Sequence, residues 1–425
     1  MKKIFLLLMA ALLGLASCQK KYVASVDDLR VVRIDPAVGY EGCLINVLGR
    51  NFSTVFGENH VYINGKEARM VEFTANQLTV VAPLNDLGSY SVEVSTPLGY
   101  VASESLMFTY RKKPAKIYTV GTVAGNGRNE IRDDVGTVAS IGQIEGLMWA
   151  PDGTLWFSQR SAGNAIRQFN PATLEVKTIV SGIDLPWGGD FDAGGDFYFA
   201  AKTTHKIYKI AKNSHSCEEF VVPGMVLDDP MYVKFDKEGF MWIASRDNHL
   251  VYKIMNGLIV KTYTRDSWYP VALAMDDKGR IYFASSSELT DADNGVFMID
   301  GDEVTKVIGS GIAPTLDNYE NSVAGGPSKV NMGIVGEMCI GSNGALYYTD
   351  FRTYTVMKVV PDANGDFTKG TVSIVAGLPF QPAVQNGPTD KAQFKYPSGI
   401  AVSEDCKKIY VAEPTGYVLR LIDLN

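Results

Sequence analysis

The sequence predicts an all-β chain, a small two-sheet β-sandwich followed by a six-bladed β-propeller. Three observations carry that expectation. Over residues 28–110, apolar and polar positions alternate in short runs separated by Gly, Pro and Asn, as in an antiparallel sandwich with one buried face. From residue 151 onward, a tight turn and an aromatic strand recur six times at a period of about 40 residues, as in the blades of a propeller. The composition agrees, because 41 Gly with 19 Phe, 21 Tyr and 5 Trp in 425 residues suits many short strands joined by tight turns. Apolar residues at 46% and charged residues at 20% argue against disorder and against a coiled coil. The 40 Lys and Arg against 47 Asp and Glu give a net charge of −7, so no nucleic-acid partner is expected. Four His leave little room for a His-rich metal site or a His-based catalytic machine.

The first residues form a separate element. Lys2 and Lys3 precede an apolar or small run over 4–17, too short to cross a hydrocarbon core that needs about 20 residues, and this reads as a secretory leader. The end of the run, Leu15-Ala16-Ser17-Cys18, resembles a bacterial lipobox. That resemblance implies cleavage before Cys18, a lipid on Cys18 that anchors the mature chain in a membrane, and, with Gln19 following, sorting to the outer membrane. Whether the chain then faces the periplasm or the cell surface stays open. Removing 1–17 takes two lysines with it and leaves a net charge of −9. An ordinary leader with a chance cysteine is the alternative. Residues 18–27 read as a linker. The other cysteines, Cys43, Cys217, Cys339 and Cys406, are far apart with no CxxC spacing, so isolated, buried thiols are expected rather than zinc or a redox pair.

Within 28–110, strands are expected at 29–34, 43–48, 60–63, 77–82, 90–95 and 106–110. The stretch Asp35-Pro36-Ala37-Val38-Gly39-Tyr40-Glu41-Gly42, with Ile45, Val47, Gly49, Asn51 and Phe52 after it, resembles the opening of TIG/IPT immunoglobulin-like domains. Val61-Tyr62-Ile63-Asn64-Gly65 and Ala82-Pro83 fit the same family. The resemblance implies a spacer or interaction module without catalysis.

The propeller is expected over 116–425. Its turn-and-strand pairs are Pro151-Asp152-Gly153 before Leu155-Trp156-Phe157, Ala193-Gly194-Gly195 before Phe197-Tyr198-Phe199, and Lys237-Glu238-Gly239 before Met241-Trp242-Ile243. They continue with Asp277-Lys278-Gly279 before Ile281-Tyr282-Phe283, Ser342-Asn343-Gly344 before Leu346-Tyr347-Tyr348, and Ser403-Glu404-Asp405 before Ile409-Tyr410-Val411. The repeat Pro397-Ser398-Gly399-Ile400-Ala401-Val402 and the lead-in Val375-Ala376-Gly377 with Ala392-Gln393-Phe394 resemble the NHL family. Blades two to four depart from its Pro-x-Gly start, having Leu185-Pro186-Trp187, Asp229-Pro230-Met231 and Tyr269-Pro270-Val271. Blade six has only three strands before Asn425, so strand 116–123 is expected to pair with 418–422 and close the ring.

No GxSxG elbow, HExxH, P-loop or HxE-with-CxxC constellation occurs, and no catalytic residue, metal or cofactor is assigned. Asp291-Ala292-Asp293-Asn294-Gly295 lacks the closing Glu of a calcium loop and reads as a polar connection. Gly125-Asn126-Gly127 reads as a turn. The loops after each second strand and the segments entering each blade share one face of a propeller. They place Arg160, Trp187, Lys202, Arg246, Trp268, Asp350 and Arg352 on one rim as candidate ligand-binding residues, with Tyr232, Tyr269 and Tyr396 nearby. Aromatic rings stack on sugar faces and planar charged groups bind hydroxyls, so a polysaccharide or glycoconjugate is the expected ligand. The four cations in that set hint at a ligand bearing carboxylate or sulfate. His205 and His249 occupy matching positions in neighbouring blades and read as bystanders of the repeat.

The resemblance to TIG-plus-NHL lipoproteins of glycan-acquisition systems implies a lipid-anchored binding protein that supplies a nutrient. An outer-membrane transporter is then an expected partner. Two alternatives stay open. One is a lactonase- or lyase-type enzyme with a channel metal, against which the mainly apolar first strands weigh, Asp190 and Glu337 excepted. The other is a protein-interaction scaffold.

Overall fold

The structure is a computed structural model, and it describes residues 29–112, 118–287 and 293–425. The expected leader, Cys18 and the linker lie outside the described residues, as do Lys116, Ile117, Asp291 and Ala292. Among the described residues no helix is long and apolar enough to cross a membrane. The chain falls into two compact units, divided between Lys116 and Ile117.

The first unit is a sandwich with strand order Arg30–Asp35, Leu44–Arg50, Gln77–Val81, Lys66–Phe73, His60–Ile63, Gly88–Thr96, Gly99–Tyr110 and Val38–Gly39. Alternation along each strand sends Ile45, Val47, Val61, Ile63, Leu78, Val80, Val92, Val94 and Phe108 into one core. Lys66–Phe73 has no counterpart among the expected strands. Its first residues pair with His60–Ile63 and its last with Gln77–Val81, so it crosses from one sheet to the other. A strand that changes sheets buries no single face along its length, and its sequence therefore lacks the alternation that marks the others.

The second unit is a six-bladed propeller. Blade one is built from Ile144–Trp149, Leu155–Gln159, Ala165–Phe169 and Glu175–Ser181, and the next four repeat that antiparallel order. The second strands Leu155–Gln159, Phe197–Ala201, Met241–Ser245, Ile281–Ser285 and Leu346–Asp350 are buried at every position. Each lies between two neighbouring blades and packs on both faces, which is why these strands read as continuous apolar and aromatic runs. The glycine of each preceding turn, Gly153, Gly195, Gly239, Gly279 and Gly344, has φ between +72° and +88°, a conformation that disfavours a side chain. In blade six Cys406 fills that slot at φ +55°.

Blade six takes its fourth strand from the other end of the unit. Thr119–Ala124 runs antiparallel to Val418–Asp423, with Val120 opposite Ile422, and buries Val120 in the same cluster as Ile422, Ile409 and Phe394. Long segments, 125–143 and 377–399, lead into blades one and six. Each folds back on itself through one bridge, Arg132 with Ser140 and Gln385 with Gln393. Each is clipped by a fully buried arginine at the same place in its blade's third strand, Arg167 and Arg420. A third long segment, 309–334, enters blade five and carries the short helix Tyr319–Ala324.

Candidate functional site

Inner strands line the channel of a propeller, and their register can be matched through the second strands. Leu147, Gly189, Val233, Leu273, Met338 and Ile400 each face the equivalent residue of their partner strand. One position earlier stand Gly146, Gly188, Tyr232, Ala272, Glu337 and Gly399. Four of the six have no side chain beyond a methyl, which leaves room for the other two to cross the channel. Tyr232 of blade three donates its hydroxyl proton to Glu337 Oε1 of blade five. Glu337 Oε2 accepts from the backbone N–H of Leu147 at 3.0 Å and of Ile400 at 2.7 Å, in blades one and six. Glu337 thus ties four blades together at the axis. Burial pushes its carboxyl up to about 8, against the Tyr232 hydroxyl and the two N–H groups, which favour the charged form.

The small residues of this ring are a steric requirement. A Cβ at Gly188 would lie 2.0 Å from Cδ2 of Tyr232. Gly188→Ala is therefore expected to destabilise the propeller by about 1–3 kcal/mol, the usual range for overpacking a filled interior. Gly121→Ala, where nothing lies within 4 Å, is the control. Equal melting temperatures for the two variants would contradict the packing account.

Above this brace opens a cavity of about 600 Å³, lined by the upstream ends of the inner strands and the adjoining loops of all six blades. The downstream halves of the same strands enclose a separate cavity of about 190 Å³, so the brace divides the channel. One half of the larger cavity is ionic. Arg160 pairs with the buried Glu145. Lys202 and Arg246 reach Asp229 at 3.4 Å and 2.6 Å, and Arg246 also reaches Asp247 at 2.8 Å. Burial holds the Glu145 and Asp229 carboxyls above their ordinary range, and the neighbouring cations counter it. Trp187 stands among these groups, with Lys202 Nζ 4.7 Å and the Arg160 guanidinium 5.7 Å from its ring centre. The other half is aromatic. Phe351 and Tyr396, from blades five and six, stack at 4.4 Å with an interplanar angle of 21°. Tyr269 of blade four meets the His249 ring edge-on at 4.9 Å.

Four of the seven sequence-derived candidates, Arg160, Trp187, Lys202 and Arg246, converge on this cavity. The other three sit elsewhere. Trp268 is 4% exposed and packs against Phe283 and Phe297 inside the blade-three to blade-four core. Asp350 is fully buried, and its carboxylate accepts from the N–H groups of Gly333 at 2.7 Å and of Arg352 and Thr353 at 3.1 Å. It fixes a loop. Arg352 is not among the lining residues. Of those Tyr residues named beside them, Tyr232, Tyr269 and Tyr396 all line the cavity. The carboxylates Glu145 and Asp229 were not among the candidates, although each sits at the start of an inner strand or just before it, beside a cation of the rim.

His205 and His249 hold matching left-handed positions with Asn164, Tyr354 and Tyr417, at φ between +43° and +61°, ahead of the third strands of five blades. Their recurrence reflects one turn geometry. Even so, His249 lines the cavity, and its Nδ1–H donates to the carbonyl oxygen of Trp268, whereas Nδ1 of His205 accepts from the N–H of Asp229. The channel acids are also committed. Asp190 Oδ2 pairs with Lys234 at 2.8 Å and accepts from Phe235 N–H, and both oxygens of Glu337 accept from donors. Among the described residues no group of three or more His, Cys, Asp or Glu could hold a metal ion. The four described cysteines are unpaired and only partly buried, more open than the sequence suggests.

With this geometry in hand, comparison with known proteins is informative for both units. The family model for the IPT/TIG domain matches residues 29–110. The first unit is a TIG/IPT domain. No curated protein sequence matches the chain. Among solved structures, an auxiliary nutrient binding protein from Bacteroides ovatus is similar at 16% identity and TM-score 0.61, over 93% of this chain and 97% of that one. Another auxiliary nutrient binding protein, from Bacteroides thetaiotaomicron, is similar at 15% identity and TM-score 0.60, with the same coverages. A putative phosphatase from Bacteroides thetaiotaomicron shares the fold too, at 16% identity and TM-score 0.57, over 93% and 97%. At identities this low the likeness shows a shared fold alone.

Proposed function

We propose that this chain is a cell-envelope binding protein that captures a glycan in the channel cavity as part of a nutrient-acquisition system. The observation that carries the reading is the division of one cavity at the channel mouth into an aromatic half and an ionic half. Phe351, Tyr396 and Tyr269 offer ring surface to the C–H faces of a sugar, while Arg160, Lys202 and Arg246, held in place by their carboxylates, offer N–H donors to its hydroxyls. Trp187 orders the cations and borders the site. The nutrient binding proteins of Bacteroides that share the fold support the same role. Attachment through a lipid on Cys18, outer-membrane residence and a transporter partner complete the proposal.

Its test is a glycan array probed with the intact protein, followed by calorimetry on the sugars retained. Tyr396→Ala and Arg246→Ala are each expected to weaken binding about tenfold, since one stacked ring or one charge-assisted bond contributes on the order of 1.4 kcal/mol. Trp268→Phe, which alters only the core, is expected to leave affinity unchanged. Unaltered affinity in both cavity variants would remove the cavity as the binding site.

A further inference from the structure

We propose that the cavity receives the terminus of an uncharged glycan, taken end-on, rather than an internal stretch of a polymer or an acidic sugar. This rests on the glycan reading above and deepens it. Three features lead there. The floor is barred: the Tyr232–Glu337 brace crosses from blade three to blade five, Glu337 is held by the Leu147 and Ile400 N–H groups of blades one and six, and the Tyr232 ring lies against Gly188 of blade two, so no chain threads the channel. The cavity is centred on the axis, because every blade contributes lining residues, whereas a polymer lying across the face would run along a groove between two blades. The cavity volume of about 600 Å³ is that of a site enclosing one small ligand, on the scale of a mono- or disaccharide.

Charge pairing decides the chemistry of the guest. Arg160 is neutralised by Glu145, Lys202 by Asp229, and Arg246 by Asp229 and Asp247. Glu145 and Asp229 are themselves buried, and stripping either of its cation would leave an uncompensated buried carboxylate. An anionic sugar would have to compete with them for each cation. A neutral hydroxyl accepts from the same N–H groups without breaking a pair. The hint of an acidic ligand that the rim cations raise is thus reversed for the three that line the cavity, and the fourth, Arg352, does not line it.

The experiment uses the intact protein and neutral, uronate-containing and sulfated oligosaccharides of two to eight residues. The best-retained series is titrated calorimetrically, together with its reduced alditols, derivatives capped at the non-reducing end, and its parent polysaccharide. The expected result is a neutral series whose affinity changes less than threefold from the trisaccharide upward. Stoichiometry should stay at one protein per chain whatever its length, and modification of one end should abolish binding. Affinity that climbs throughout the series, several proteins per polymer chain, or preference for the uronate or sulfated sugars overturns this inference and leaves glycan binding intact. Retention of no sugar by the folded protein overturns the glycan reading itself, and the inference with it.

Discussion

Arg420→Ala is expected to destabilise the propeller by about 3–5 kcal/mol, measured by chemical denaturation, because it leaves a buried charge without its partner. Arg420 and Glu413 are both fully inaccessible, and Nη1 of the arginine lies 2.6 Å from Glu413 Oε2. The same guanidinium donates to the carbonyls of Gln393 at 3.3 Å and Gln385 at 2.8 Å, and rests 4.9 Å from the Phe394 ring centre. Alanine would orphan one carboxylate and two carbonyls and open a void against Phe394. Burial already pushes the Glu413 carboxyl up, and Arg420 is the main force opposing it, so the orphaned group would take up a proton more readily still.

Arg167 supplies the comparison. It fills the equivalent place in blade one, yet its carboxylate partner Asp133 is 48% exposed and water can replace the lost cation. Arg167→Ala is expected to cost distinctly less than Arg420→Ala, and the double change Glu413→Gln with Arg420→Met to recover part of the loss. Equal losses at both arginines would defeat the buried-pair explanation. The Arg420 clip also bears on the site. It secures the segment that carries Tyr396, whose neighbour Lys395 donates its N–H to Glu413. A ligand should therefore bind Arg420→Ala more weakly even where the protein stays folded.

These features differ in how far the sequence reveals them, and the difference is physical. The blades are legible because one turn with a positive-φ residue precedes one strand buried on both faces, and both demands fall on local composition. Blade six is recognisable although Cys406 stands where the others have glycine, since its strand pattern persists. Rim residues are legible as positions but not as directions. Asp350, at the end of its strand, and Trp268, in its loop, sit at the right end of their blades, yet hydrogen bonds to loop N–H groups draw one inward and the stacked rings of Phe283 and Phe297 draw in the other. Nor can a count of cations reveal their neutralisation, because Lys202 finds its carboxylate on the next blade. The brace is the hardest to see. Tyr232 and Glu337 lie 105 residues apart, and their meeting depends on glycine or alanine at the four other matching positions. Only the six inner strands, aligned through their partner strands, show that complementarity.

The same brace predicts how stability responds to pH. The Glu337 carboxyl is raised from its usual 4.5 to about 8, so between those values the folded chain holds a proton that the unfolded chain has released. Stability from this group is complete below about pH 4.5 and is lost as pH rises through 8, with an amplitude of roughly 5 kcal/mol at about 1.36 kcal/mol per pH unit. Two groups beside Glu337 stay out of that window. Burial pushes the Cys339 thiol up to about 12 and the Tyr232 hydroxyl higher than its ordinary value, so both stay neutral through it. Glu145, Asp229, Asp350 and Glu413 are raised by burial as well and slope the same way, which makes the difference between two proteins the quantity to measure. In Glu337→Gln the amide oxygen can accept from Leu147 and Ile400 while its NH₂ donates to the Tyr232 hydroxyl oxygen, so the brace is kept and the titration is gone. The variant should match the parent near pH 5 and exceed it in stability above pH 8, by denaturant titration at each pH. Parallel stability curves for the two proteins across pH 5–9 would show that Glu337 is already ionised throughout, held so by its three donors.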